Sequence, residues 1–203
     1  MSTILKNKDV NVPIEILNLW SKYEGQTTLA QVTELYNAAL NTPAGDIVEI
    51  GSASGGTTIV LILAGQMIGK RVYSIDPYPV ELEGKAVFYN PGLMESLKDK
   101  FKKNILNGKY ENIIQFNEYL KDCIDKIPDN LSLVFIDGCH ELSCIEQEYE
   151  LLYPKVIRGG IIYIHDIDWN EGQLSKSVEG GPARFAELKG GENIHNMLKI
   201  IKS

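Results

Sequence analysis

The chain has 203 residues and a formal net charge of −7, an acidic balance that argues against a broad nucleic-acid-binding face. Its three cysteines, Cys123, Cys139 and Cys144, include no C-x-x-C pair, so a disulfide framework is not expected. No apolar run reaches the ~18 residues of a membrane span, and nothing at the N-terminus reads as a signal peptide. We therefore expect a cytoplasmic protein with no membrane partner and no nucleic-acid partner.

Two helical patterns, over 13–23 and 27–40, precede the alternating part of the chain, and Thr27 or Thr28 can cap the second. From residue 46 onward, short apolar strands alternate with helices, which predicts a parallel sheet covered on both faces. The predicted strands are 46–50, 71–75, 113–116, 131–136 and 161–164, the last opened by Gly159-Gly160, and the helices are 57–67, 93–106, 118–126 and 143–153. A helix over 182–188 and a strand over 197–201 follow.

These elements predict one domain, with N-terminal helices in 1–42, an α/β core in 43–168 and a short C-terminal segment in 169–203. The loop after the first strand has the position of a ligand-binding corner in doubly wound α/β folds. A dinucleotide-binding loop requires G-x-G-x-x-G, but Ala53 stands at the middle position, between Gly51 and Gly56.

Two carboxylates accompany the glycine loop. Glu49 lies beside it and suits a cationic ligand, whereas Asp76 ends the second strand and could accept hydrogen bonds from ribose hydroxyls. An Asp at this position also occurs in nicotinamide sites, so this residue alone does not identify the cofactor. A nicotinamide site, and an ordinary turn with capping Ser and Thr residues, are therefore the alternatives here.

The pattern Glu49-x-Gly51-x-x-x-Gly55 resembles the first motif of class I S-adenosylmethionine-dependent methyltransferases. The resemblance implies a doubly wound, mostly parallel, Rossmann-like sheet with an N-terminal helical extension. The family's closing helix and antiparallel strand pair would have to fit after residue 168, so we expect one terminal strand to be missing or abbreviated. The cofactor-binding residues implied by the resemblance are Glu49, Gly51, Ser52, Ala53, Gly55, Asp76, Asn117 and Asp137.

Strands 4 and 5 both end in acidic residues with a histidine nearby. Asp137 is followed by His140, and His165 precedes Asp166. Because neighbouring strands lie about 4.8 Å apart, Asp137 and Asp166 could share one hard cation such as Mg²⁺. His165 could then be a third ligand. The alternative is that both acids cap loops at the strand ends, as Asp often does.

The sequences Ile136-Asp137-Gly138-x-His140 and G-G-I-I-x-x-H-D resemble the small metal-dependent O-methyltransferases of the macrocin and mycinamicin type and the cephalosporin-hydroxylase-like group. The resemblance implies metal ligation by Asp137, His165 and Asp166 and places the base at His140. Family members more often have two acids at the positions of His165 and Asp166. It also implies that Glu24-Gly25 belongs to a segment that closes over the methionine end of the cofactor.

The favoured function is therefore S-adenosylmethionine-dependent and Mg²⁺-dependent O-methylation of a small hydroxylated substrate, of sugar or natural-product type. A nicotinamide-dependent oxidoreductase is disfavoured by Ala53 and by the lack of a Tyr-x-x-x-Lys pattern. A cofactor-binding protein without catalysis is the other alternative. The segments 77–92 and 169–181 are expected to recognise the methyl acceptor, and homo-oligomerisation is left open.

Overall fold

The computed structural model describes residues 10–78, 91–167 and 181–203. A seven-stranded sheet forms the centre of this part of the chain, with the strand order β3-β2-β1-β4-β5-β7-β6. The strands are β1 (Asp46–Ile50), β2 (Val72–Ile75), β3 (Ile113–Phe116), β4 (Leu131–Ile136), β5 (Val156–His165), β6 (Glu192–Ile194) and β7 (Met197–Ile201). Strands β1 to β5 are parallel, and β7 is antiparallel to both β5 and β6.

Helices cover both faces of the sheet. They are α1 (Ile14–Lys22), α2 (Leu29–Asn41), α3 (Gly56–Ile68), α4 (Pro91–Asn104), α5 (Leu120–Cys123), α6 (Leu142–Leu152) and α7 (Gly181–Lys189). Successive strand residues point to opposite faces. Ile47 accordingly packs in the core formed with α1 to α4, and Val48 in the core formed with α5 to α7. The predicted doubly wound architecture is confirmed.

Helix α2 begins with the predicted cap. The backbone N–H of Gln31 donates to Thr28 Oγ1 at 3.3 Å, and the N–H of Thr28 donates to Gln31 Oε1 at 2.7 Å. This reciprocal pair satisfies two N–H groups that the helix itself leaves unpaired. The Gln31 side chain also donates to the carbonyl of His195 at 2.7 Å, which ties α2 to the turn between β6 and β7.

Strand β5 is longer than the sequence predicted. It begins at Val156, and Gly159-Gly160 lie inside it rather than opening it. The pairing of β4 with β5 shifts register between Leu131 and Leu133, and Gly159 has a φ of +78°, which together indicate a bulge. Glycine often marks the end of a strand, but here Gly159 adopts the backbone conformation that a bulge within the strand requires.

Both members of the antiparallel strand pair, β6 and β7, are present in the described sheet, and β6 is short. Helix α7 and strand β7 confirm the two elements predicted there. The second antiparallel strand, which was expected to be missing or abbreviated, is present as the three-residue β6. Within the described ranges, no helix combines the length and the hydrophobicity needed to cross a bilayer.

Candidate active site

The carboxyl ends of β1, β2, β4 and β5 meet at one edge of the sheet. Ile50, the last residue of β1, is in register with Ile75 on one side and Ile136 on the other, and Ile136 is in register with Ile164. The residues that follow these strands therefore lie side by side. Ligands of open α/β sheets bind in the crevice outside such strand ends. The predicted cofactor loop and the predicted cation site consequently share this edge.

The glycine loop is in direct contact with the end of β4. Gly51 has a φ of +83°, and its N–H donates to the carbonyl of Ile75 at 2.9 Å. A Cβ added to Gly51 would lie 2.1 Å from the carbonyl oxygen of Asp137. Real Cβ atoms do not approach backbone so closely, so no side chain fits at this position. The need for glycine arises from β4, not from space kept for a ligand.

Asp76 holds the loop in shape. Its Oδ2 accepts the backbone N–H groups of Ser52 and Ala53 at 3.0 and 2.9 Å, and its Oδ1 accepts the N–H of Tyr78 at 2.9 Å. Burial raises the pKa of Asp76, and these three hydrogen bonds offset part of the rise. A carboxylate can accept about four hydrogen bonds, so Oδ1 keeps capacity for a ribose hydroxyl.

Glu49 is a fully buried acid beneath the loop. Thr58 Oγ1 donates to its Oε2 at 2.6 Å, but its Oε1 is buried and has no hydrogen-bond partner among the residues that the structure describes. Burial raises the pKa of Glu49 to about 8, and the nearby charges of Asp137 and Asp76 add to the rise. An orphaned carboxylate oxygen of this kind fits a cationic group such as an ammonium.

We expect Glu49→Gln to stabilise the ligand-free protein above pH 8. Because folding raises the pKa of Glu49 from 4.5 to about 8, the folded state binds the proton more tightly. The free energy of unfolding should therefore fall as pH rises from 4.5 to 8, and the amide should remove this part of the slope. Urea unfolding at pH 5 and pH 8.5 measures it, with a gain at pH 8.5 of about 1–3 kcal/mol.

Glu150→Gln, on an exposed position of α6, is the control for this comparison and should leave the pH slope unchanged. Asp76 and Glu148 also have raised pKa values and keep part of the slope in both variants. Equal slopes in the wild type and Glu49→Gln would contradict a protonated Glu49 in the ligand-free protein.

The acids and histidines at the ends of β4 and β5 form one cluster, called here the His–Asp cluster: Asp137, His140, His165 and Asp166. His165 is only 7% exposed, and its Nδ1 lies 3.0 Å from Asp137 Oδ1 and 3.2 Å from Asp166 Oδ1. Burial alone would lower the pKa of His165, but the two carboxylates outweigh it and raise the pKa to about 10. Phe135 packs edge-on against the imidazole, with ring centroids 5.8 Å apart, and holds it in place.

Asp166 lies between the two imidazoles. Its Oδ2 is 3.0 Å from His140 Nε2, and its Oδ1 faces His165. Burial alone would raise the pKa of Asp166, but the two histidines hold it well below its usual range. The backbone of Asp166 has a positive φ of 59°. One donor atom each of Asp137, His140 and Asp166 also lie within 4.8 Å of one another.

The segment between α1 and α2 packs against the glycine loop. Ser54 Oγ donates to the carbonyl of Tyr23 at 2.7 Å. A Cβ added to Gly56 would lie 2.3 Å from the Cα of Gly25, so the two backbones are in van der Waals contact. Lys100 of α4 pairs with Glu24 at 2.6 Å. The predicted position of Glu24-Gly25 beside the cofactor loop is thus consistent with these contacts.

Not every predicted residue joins this cluster. Asn117 follows β3, the edge strand, and is exposed.

Two cysteines lie close to the cluster in the sequence. Cys139 and Cys144 hydrogen-bond to each other, and this bond and burial raise the pKa of Cys139. Most of the two segments expected to recognise the acceptor lies outside the described residues, in 79–90 and 168–180.

Three polar residues at the candidate site are not predicted from the sequence. Thr58 bonds Glu49, the Ser74 hydroxyl bonds that of Ser52, and Glu148 of α6 is a largely buried acid whose pKa burial raises to about 8. The burial of Glu148 could have been predicted from the sequence, because it lies three residues from Ile145 and four from Leu152 on the apolar stripe of α6. The contacts of Ser74 and Thr58 could not be predicted, because they depend on how β2 and α3 pack against β1, which sequence spacing does not determine.

A family profile described as a methyltransferase domain matches residues 48–167. The chain belongs to this family. The class I methyltransferase recognised from the sequence is thereby confirmed, and the matched span contains the whole glycine loop and the His–Asp cluster. The nicotinamide alternative loses its support.

This methyltransferase domain is also 29% identical over 122 residues to Uncharacterized protein R132 of Acanthamoeba polyphaga mimivirus, covering 59% of this chain and 50% of that protein. The chain thus spans about half the length of this curated relative.

Solved O-methyltransferases share the fold of this methyltransferase domain. The O-methyltransferase NovP superposes with a TM-score of 0.61 at 17% identity, over 86% of this chain and 80% of that one. TomG of Streptomyces achromogenes, in complex with S-adenosylmethionine, has a TM-score of 0.62 at 15% identity, over 100% and 94% of the two chains. An O-methyltransferase of Bacillus cereus, in complex with S-adenosylhomocysteine, has a TM-score of 0.58 at 20% identity, over 91% and 80%.

Proposed function

We propose that this domain transfers the methyl group of S-adenosylmethionine to a hydroxyl of a small molecule, of sugar or natural-product type. The observation that carries the proposal is the contact between the two halves of the site. The backbone of Gly51, in the loop, touches the backbone of Asp137, which carries one acid of the His–Asp cluster. The names of NovP, TomG and the Bacillus cereus protein, all O-methyltransferases, support the same reaction class.

The loop residues bind and orient the cofactor. The orphaned Oε1 of Glu49 is the acceptor for an ammonium, and the remaining capacity of Asp76 Oδ1 is the acceptor for a ribose hydroxyl. Gly51, Ser52, Ala53 and Gly55 supply the backbone against which the ligand lies, and Asn117 and Asp137 complete the proposed set. When bound, S-adenosylmethionine supplies the electrophilic methyl group.

A divalent cation fits the His–Asp cluster. Asp137 and Asp166 provide the hard carboxylate oxygens that Mg²⁺ prefers, and the buried ring nitrogens of His165 make no hydrogen bond among the described residues. The ligand set proposed from the sequence, Asp137, His165 and Asp166, is therefore retained, with Mg²⁺ as the cation expected from the resemblance. When bound, the cation supplies Lewis acidity that lowers the pKa of the acceptor hydroxyl.

His140 is the proposed general base. The Asp166 carboxylate accepts a hydrogen bond from the Nε2–H tautomer, which in a neutral imidazole makes the other nitrogen the proton acceptor. Asp166 thus orients the base in the way that a triad carboxylate orients its histidine. The cytoplasmic location and the possibility of a homo-oligomer stay predictions from the sequence.

Calorimetric titration with S-adenosylhomocysteine, and with NAD⁺ as the comparison ligand, tests the cofactor. We expect binding of the first and none of the second. Release of S-adenosylhomocysteine from S-adenosylmethionine, measured across a panel of sugars and phenolic natural products, then tests methyl transfer. The activity should vanish with EDTA and return when a divalent cation is added. Binding without turnover on any acceptor would favour a cofactor-binding protein, and activity that survives exhaustive chelation would make the two acids loop caps.

A further inference from the structure

A second group of possible metal ligands lies where the chain enters α6, and it contains sulfur. The thiols of Cys139 and Cys144 and a carboxylate oxygen of Glu141 all lie within 4.8 Å of one another. The three side chains are half-buried, and none of them belongs to the His–Asp cluster. In a tetrahedral zinc site with Zn–S bonds of about 2.3 Å and Zn–O bonds of about 2.1 Å, neighbouring ligand atoms are about 3.4–3.8 Å apart. Small movements of these side chains would therefore close them around one ion.

Glu148 offers a fourth ligand from the next turn of α6. It follows Cys144 by four residues, a spacing that puts two side chains on the same face of a helix. The carboxylate lies near enough to Cys144 and Cys139 to interact electrostatically with both thiols. Its Oε2 is buried and has no hydrogen-bond partner among the residues that the structure describes. A buried carboxylate oxygen without a partner is unfavourable, and a cation held by the two sulfurs would supply one.

The backbone around the two cysteines favours anionic sulfur, which is the form that binds metal ions. The N–H of Glu141 donates to Cys139. Cys144 is the third residue of α6, where the unpaired N–H groups of a helix favour negative charge. The loop is also held in place, because a Cβ added to Gly181, the first residue of α7, would lie 2.3 Å from the carbonyl oxygen of His140. The donors are therefore carried by packed backbone.

We propose that Cys139, Glu141, Cys144 and Glu148 form a tetrahedral zinc site, separate from the cation site proposed at the His–Asp cluster. Zn²⁺ accepts both thiolate and carboxylate ligands, whereas Mg²⁺ prefers oxygen alone and Cu⁺ prefers soft sulfur ligands. Four protein ligands are the arrangement of a structural zinc ion. His140, the proposed base, lies between the first two donors in the sequence, so a bound ion would fix the loop that carries it. The inference does not rest on the proposed function, because its donors lie outside the cofactor loop and the His–Asp cluster.

Cobalt substitution tests the site without any variant. The protein is reduced, freed of metal by chelation, and titrated first with CoCl₂ and then with ZnCl₂. We expect a thiolate-to-cobalt charge-transfer band in the near ultraviolet, which Zn²⁺ then removes because it binds such sites more tightly. The band is measured because only a sulfur ligand produces it, so cobalt at the His–Asp cluster does not contribute. Absence of the band in the reduced wild type would overturn the proposal, as would a band that excess Zn²⁺ leaves unchanged.

Three variants locate the sulfur ligands. The double variant Cys139→Ser/Cys144→Ser should lose the band. Cys123→Ser changes the buried cysteine at the end of α5, and as the matched control it should keep the band. Asp166→Asn removes one acid of the His–Asp cluster at a φ of +59°, which asparagine tolerates, and it should also keep the band. A band that survives the double variant, or that is lost in either of the other two, would contradict a separate thiolate site.

Glu148→Gln tests the fourth ligand. It should weaken Zn²⁺ binding by at least about tenfold, since even the outer partners of metal ligands contribute that much, and it should retain the sulfur band. Glu150→Gln, at an exposed position of the same helix, is its control and should bind Zn²⁺ like the wild type. Competition with a chromophoric chelator measures both affinities, and equal values for Glu148→Gln and the wild type would contradict the four-ligand site. Titration of the metal-free protein with S-adenosylhomocysteine is a separate measurement, so failure of the proposed function and failure of the zinc site are distinguished.

Discussion

His140→Ala is expected to lower kcat by about 10²–10⁴-fold, the usual share of a general base. The reason is that His140 Nε2 lies 3.0 Å from Asp166 Oδ2, which orients the ring beside the proposed cation site. Cofactor affinity should change little, since His140 is outside the glycine loop. Single-turnover methyl transfer, with the dissociation constant of S-adenosylhomocysteine measured in parallel, separates the two quantities.

Exogenous imidazole should restore part of the rate of His140→Ala, because the truncation removes the ring and leaves Asp166 in position to bind the added one. His195→Asn, at an exposed position in the turn between β6 and β7 where a φ of +54° suits asparagine, is the control and should keep a normal kcat. If His140→Ala instead lost its cation affinity together with kcat, the residue would be a metal ligand and not the base. A near-normal kcat would assign the proton to another group, of which Asp168, outside the described residues, is the next candidate.

Most of the architecture could be predicted from the sequence because the strands are short apolar runs with helices between them. The ends of β1, β3, β4 and β7 coincide with the predicted ranges. The proximity of the candidate site residues could also be predicted, since a parallel sheet brings the residues after its strands to one edge. Asp137 and Asp166 met for this reason, and the histidine beside each acid came with it.

The roles of individual atoms could not be predicted in the same way. Asp76 was expected to face a ribose, but three backbone N–H groups occupy most of its capacity, and this depends on how the loop folds back over β2. The buried state of Glu49 depends on α3 packing over β1. Gly159-Gly160 predicted a strand boundary because local sequence does not show that β4 supplies partners on both sides of a bulge.

Gly51→Ala is expected to abolish binding of S-adenosylhomocysteine, although it adds a single methyl group. The new Cβ would lie 2.1 Å from the carbonyl oxygen of Asp137 and 2.8 Å from the Cα of Gly138, so the loop and the end of β4 have to separate. That movement displaces both the loop backbone proposed to bind the cofactor and Asp137, one acid of the proposed cation site. The left-handed φ of +83° adds a strain of about 1–2 kcal/mol to the folded state.

Gly69→Ala separates the collision from the strain. Gly69 ends α3 with a similar φ of +75°, but a Cβ there would meet nothing within 4 Å. This variant should lose about 1–2 kcal/mol of unfolding free energy and still bind S-adenosylhomocysteine with wild-type affinity. Gly51→Ala should lose more stability than Gly69→Ala and all measurable binding, as followed by urea unfolding and calorimetry. If the two variants lost equal stability and both bound the ligand, Gly51 would be needed only for its backbone angle, and the contact with Asp137 would not join the two halves of the site.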